Sequence, residues 1–120
     1  MDTALTTFFA AWGEADVATR RGMIADAIAE QFTYSDPRCG DPLTDLDAMD
    51  SYVAQFVAAA PGWTATVTEV DGTGETVNAR VAFSGPDGKG GTMTQHGHYT
   101  AQINSEGRIT AISGVAEGQA

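Results

Sequence analysis

Asp36 is the residue whose type and setting most invite chemistry. It lies in the stretch Phe32-Thr33-Tyr34-Ser35-Asp36-Pro37, where strand alternation puts Phe32, Tyr34 and Asp36 on one side, so two aromatic rings and an acid face the same space. Pro37 forbids a helical continuation and biases Asp36 toward extended backbone, which leaves the carboxylate at the end of an element. Such a carboxylate is a candidate base or ligand contact. It is equally an aspartate that hydrogen-bonds the turn it begins. The aromatics Phe8, Trp12, Tyr34, Tyr52, Phe56, Trp63 and Phe83 read one by one as core, and together as the wall of a pocket, since ligand cavities are built mainly from apolar and aromatic side chains.

Other residues of chemical interest carry weaker patterns. His96 and His98 stand two apart and share one strand face, but two histidines without a third ligand do not make a zinc site. Strand parity sets them opposite Met93, Tyr99 and Ile103, on the side away from the helices unless a bulge intervenes. One of the two, His96 or His98, could still enter the pocket, with His98 taken as the candidate, and an imidazole there could act as acid or base near neutral pH. Cys39 lies beside Arg38 in a loop without a histidine nearby in sequence, so an ordinary loop cysteine is the default. Asp41, Asp45, Asp47 and Asp50 match no calcium loop and read as a solvated helix start. No metal and no cofactor is expected.

The totals bound the rest. The 120 residues suit one domain spanning 1–120, with 42% apolar and 18% charged residues, as in an ordinary soluble globule. Six basic against sixteen acidic residues give a formal net charge of -10, which repels phosphate backbones and anionic membrane surfaces, so neither nucleic acid nor membrane is an expected partner. A single cysteine excludes an internal disulfide framework. The start Met1-Asp2-Thr3-Ala4-Leu5 lacks a basic region followed by an apolar run, and a cytoplasmic location is expected.

The positioning elements follow from period. Leu5, Phe8, Phe9 and Trp12 predict a helix over 3–15 with Thr3 as a cap. A second is predicted over 17–30, with Val17, Ile24 and Ile28 on its stripe, Arg20 and Arg21 outward, and Gly22 marking a break or a close helix contact. Thr44 or Asp45 caps a third that buries Leu46, Met49, Val53, Phe56 and Val57 and stops at Pro61-Gly62. Beyond Trp63 the period becomes two, predicting strands over 63–71, 76–84, 91–103 and 108–115, joined by glycine-containing turns such as Asp71-Gly72-Thr73-Gly74. The tail from Glu117 to Ala120 reads as loose. Helices followed by an antiparallel half imply α+β, with helices on one face of a curved sheet.

At this level the chain resembles the nuclear-transport-factor-2-like superfamily, near its SnoaL-like and ketosteroid-isomerase-like branches. The residues that carry the resemblance are Phe8-Phe9-Ala10-Ala11-Trp12, Asp16, Arg20-Arg21, Tyr34-Ser35-Asp36-Pro37, Pro61-Gly62, Gly97, Gly107-Arg108-Ile109 and Gly114. The resemblance implies a cone-shaped fold of three N-terminal helices on a strongly curved, mostly antiparallel sheet, a small apolar ligand and a homodimer through the sheet. It places Asp36 where ketosteroid isomerases keep their proton-shuttling aspartate, a role that needs burial to raise the carboxyl pKa. Their oxyanion tyrosine falls on Phe8, and their second aspartate near Tyr99, which becomes the candidate donor. Proton transfer on another carbonyl compound, or an aldol-type cyclisation, is the implied chemistry; the alternative is a non-catalytic ligand-binding or dimerisation module.

Overall fold

The computed structural model describes residues 3–37, 39, 41–72 and 75–116. Expectations placed on Met1, Asp2, Arg38, Gly40, Thr73, Gly74 and the tail from Glu117 lie outside them. The chain opens with α1 (Thr3–Ala10), which begins at Thr3 itself, and a single 3₁₀ turn (Ala11–Gly13) that together bury Leu5, Phe8, Phe9 and Trp12. Next comes α2 (Val17–Ala27), capped by the Asp16 carboxylate, which accepts from the Thr19 amide at 2.9 Å. Gly22 within it has nothing within 4 Å of where a Cβ would stand, so the helix neither breaks nor meets a neighbour there.

Two expectations for α2 are corrected. The helix stops at Ala27 and passes without a loop into β1 (Ile28–Ser35), because Ile28 pairs with Ile109 of the last strand; tertiary pairing overrides the helical spacing that predicted continuation to residue 30. The buried stripe is also rotated. Val17 is 62% exposed, whereas Arg20, expected to face outward, is 4% exposed alongside Ile24 and Ala27. Its guanidinium donates to the Glu14 carbonyl at 3.1 Å and lies 3.7 Å from the Asp50 carboxylate, and that pairing makes burial tolerable.

The third helix, α3 (Leu46–Ala59), is capped by Asp45, which accepts from the Ala48 amide at 2.7 Å, and it buries Met49 and Val53. Its acids are not simply solvated. Asp47 meets Arg21, and Asp50, 16% exposed at its side chain, meets both Arg20 and Arg21.

Four strands follow: β2 (Thr64–Asp71), β3 (Thr76–Pro86), β4 (Thr92–Ile103) and β5 (Ile109–Ala116). The sheet runs β1-β5-β4-β3-β2, with β1 parallel to β5 and every other pair antiparallel. Alternation sorts the faces: Val77, Ala79, Val81, Tyr99, Ala101 and Ile112 are buried toward the helices, while Asn78, His98, Thr100 and Gln102 point the other way. Register shifts in β1, β2 and at the end of β4 are the bulges that bend a sheet around a core. The architecture is thus α+β, three helices on a five-stranded, mostly antiparallel sheet.

The two arginines that pair α2 with α3 should differ sharply in mutant stability. Arg20→Ala leaves the Asp50 charge half-sequestered without its buried partner and is expected to cost roughly 3 kcal/mol, while Arg20→Met with Asp50→Leu recovers most of it. Arg21→Ala, which removes a solvated side chain from the largely exposed Asp47 and leaves Asp50 its buried partner Arg20, should cost clearly less than Arg20→Ala. Urea unfolding of the three variants checks this; equal losses for Arg20 and Arg21 would contradict it.

Candidate functional site

Asp36 is fixed from both ends of its loop. Tyr34 and Leu43 exchange backbone hydrogen bonds, each 2.8 Å, which hold Leu43 against the end of β1. Within it the Cys39 amide donates to Asp36 Oδ1 at 2.8 Å, and the Asp36 amide donates to Cys39 Sγ at 3.3 Å. Asp36 therefore does organise the turn it begins. Cys39 is half-buried and serves this turn.

The same carboxylate also accepts from two phenols. The Tyr34 hydroxyl, brought to the same side by strand alternation, donates to Oδ2 at 2.5 Å. The Tyr52 hydroxyl, arriving from α3, donates to Oδ2 at 2.7 Å and reaches Oδ1 at 3.0 Å. Two phenols and an amide converge on this one carboxyl group, an arrangement that favours its ionised, acceptor-only form.

Both phenols are held protonated. Burial raises the Tyr34 hydroxyl well above its ordinary 10.0, reinforced by the Tyr99 phenol and then by the bond to Asp36. Burial also raises Tyr52, with the Asp36 bond next, and Tyr99 contributes there too. Tyr99 thus belongs to the same electrostatic neighbourhood. Its ring lies 4.8 Å from Phe9 and rests on Gly97 and Gly114; a Cβ at Gly114 would overlap it. Absence of side chains at these two positions seats the ring.

Trp12 is the hub of the aromatic cluster, with Phe8, Phe9, Tyr34, Tyr52, Phe56 and Phe83 ring centroids between 5.2 and 6.3 Å away. These residues and Asp36 come together. Trp63 stands apart, packed over Gly85, and His98 lies on the opposite side of the sheet, registered with Arg80. His98 helps line a depression of about 240 Å³ there with Glu69, Asp71, Asn78 and Arg80. Among the described residues no three His, Cys, Asp or Glu side chains stand where they could hold a metal ion. Nor is any described helix long and apolar enough to cross a membrane.

Sequence reasoning cast Tyr34 and Tyr52 as walls and missed their hydroxyls as donors. The signal for Tyr34 was its position two residues before Asp36; for Tyr52 no local signal existed, because the contact joins positions 16 apart in different elements. Alkaline titration tests the arrangement. Phenols whose folded pKa lies above their unfolded 10.0 contribute stability that is complete below pH 10 and lost as pH rises further. Tyr34 and Tyr52 should ionise only as the protein unfolds, when tyrosinate absorbance and circular dichroism are followed together. Ionisation of all three tyrosines near pH 10 in a folded protein would contradict this.

Comparison with known proteins agrees with the fold. The SnoaL-like domain family model matches residues 5–112. No curated protein matches the chain. Among solved structures, a candidate isomerase of the SnoaL-like family from Agrobacterium tumefaciens is 26% identical with a TM-score of 0.82, over 97% of this chain and 96% of that one. An NTF2-like protein from Exiguobacterium is 21% identical with a TM-score of 0.75, over 98% and 100%. IdmH of Streptomyces antibioticus, named as a candidate polyketide cyclase, is 21% identical with a TM-score of 0.74, over 95% and 89%. By the extent of the family match and the agreement of fold, the chain belongs to the SnoaL-like domain family.

Proposed function

We propose that the chain binds a small apolar carbonyl compound against its aromatic cluster and moves a proton on it, in an isomerisation or aldol-type cyclisation, with Asp36 as general base. The observation that carries the reading is the Asp36 carboxylate, hydrogen-bonded by two phenols at the edge of seven clustered aromatic rings. Those bonds favour the anion, so Asp36 becomes the stronger base once a substrate draws Tyr52 away. In the step, Asp36 takes a proton from the carbon beside the carbonyl, and the electron pair moves onto the carbonyl oxygen as an enolate. Asp36 then returns the proton to another carbon, or the enolate carbon attacks a second carbonyl and closes a ring. Tyr52, half-buried on α3, is the donor free to exchange Asp36 for the substrate; Tyr34, fully buried, keeps the base aligned. Tyr99 is the further phenol on this side of the sheet. The solved relatives named for isomerase and cyclase chemistry support these two reaction types.

A second reading, ligand binding without catalysis, is favoured by the Cys39 amide, which engages Asp36 as a turn-forming residue. The proposal extends to a cytoplasmic protein that pairs with a second copy through the outer sheet face, where Thr100, Ser113 and the 49% exposed Val115 offer small or apolar contacts. Light scattering should then give the mass of a dimer, and a monomer at high concentration would refute the pairing.

The catalytic reading is tested with 3-cyclohexen-1-one, whose conversion to the conjugated enone is followed by absorbance, and 1-indanone, whose α-proton exchange in D2O is followed by NMR. Asp36→Asn is expected to lower both rates about 10² to 10⁴-fold, with a smaller loss for Tyr52→Phe. Unchanged rates in Asp36→Asn would remove Asp36 as the base. Saturable 1-indanone binding by a wild type that turns over neither compound would favour the binding module.

A further inference from the structure

Trp12 carries a polar atom that the proposed chemistry has not used. Its residue is 4% exposed, and Nε1 is fully buried with no hydrogen-bond partner. An indole N–H can only donate. Buried donors of this kind are rare, and each calls for a reason. The rings packed around Trp12 are aromatic and weak acceptors at best, and the hydroxyls of the adjoining Tyr34 and Tyr52 rings are committed to Asp36. A phenylalanine could be buried here without stranding a donor, as Phe8 and Phe9 are in the preceding helix. Indole differs from phenyl here in its larger ring and in its N–H.

The cover over Trp12 is the side of the cluster nearest solvent. Tyr52 and Phe56, one turn apart on α3 and both half-buried, meet its ring edge-on at 5.9 and 5.2 Å. Tyr52 is also the residue that reaches Asp36. Tyr52 thus adjoins both the indole ring and the carboxylate.

We infer that Trp12 Nε1–H is the donor that binds the carbonyl oxygen of the ligand, opposite Asp36. This deepens the function proposed above and takes its ligand class from it. The bond persists as the carbonyl becomes an enolate, whose greater negative charge it holds more strongly.

The matched probes are 1-indanone and indane, which share a ring system and differ at the carbonyl. In ¹⁵N-labelled protein, the Trp12 indole proton, assigned by its loss in Trp12→Phe, should move downfield at saturating 1-indanone and not with indane. Trp12→Phe should weaken 1-indanone binding roughly tenfold, the worth of one hydrogen bond, and change indane binding about twofold or less. An unmoved indole proton at high 1-indanone, whether the ketone binds or not, overturns the inference, as does an equal loss of affinity for both probes. Should Trp12→Phe not fold, assignment through Trp63→Phe leaves the wild-type shift to decide. Asp36→Asn separates the two readings: a Trp12 shift with no Asp36-dependent exchange leaves this inference standing and removes the catalytic one.

Discussion

Everything near the site depends on how a carboxylate is kept among aromatic rings. A charge there is costly unless each oxygen is met by donors. Tyr34, Tyr52 and the Cys39 amide meet Asp36 from a strand, a helix and a loop, so one side chain ties three parts of the fold together. The phenols gain in return: with the anion as acceptor they stay protonated, and their apolar rings can pack beside Trp12. The bulge in β1, the helix-to-strand passage at Ile28 and the Leu43 bridge all serve to bring Asp36 to this point.

A second constraint works behind the first. The inner sheet face must accept an aromatic hub, and it does so by withholding side chains. Gly97 and Gly114 leave room for the Tyr99 ring, and Gly85 leaves room for Trp63. The Arg20 and Asp50 pair plays the corresponding part between helices, holding α3 at a fixed place so that Tyr52 arrives within bonding distance of Asp36.

Much of this fold is legible in the chain. Alternation of Val77, Ala79, Val81 and Phe83, the Asp45 cap and the Pro61-Gly62 stop are local signals, and the elements they predict stand within a few residues of their observed bounds. The failures share one cause. Residues 28–30 read as helix because their pairing with β5 lies some 80 positions away, as the Ile28 to Ile109 register shows. Arg20 read as an outward charge because its partner sits on another helix. The site divides the same way. Alternation brings Tyr34 to Asp36, whereas the arrival of Tyr52, the seating of Tyr99 and the stranded Trp12 donor are products of packing that no local pattern encodes. His98 was drawn toward the site by residue type alone; its parity, read in the sequence as outward, was the better guide.

The most direct measurement is the proton spectrum downfield of the amides at neutral pH. Phenolic protons bound to an ionised carboxylate and shielded from water exchange slowly and resonate far downfield. The account predicts hydroxyl resonances from Tyr34 and Tyr52, each removed by its own Tyr→Phe substitution and both altered in Asp36→Asn. A spectrum with no such resonances, or one unchanged in Asp36→Asn, would contradict the claim that the Asp36 carboxylate is held by two phenols.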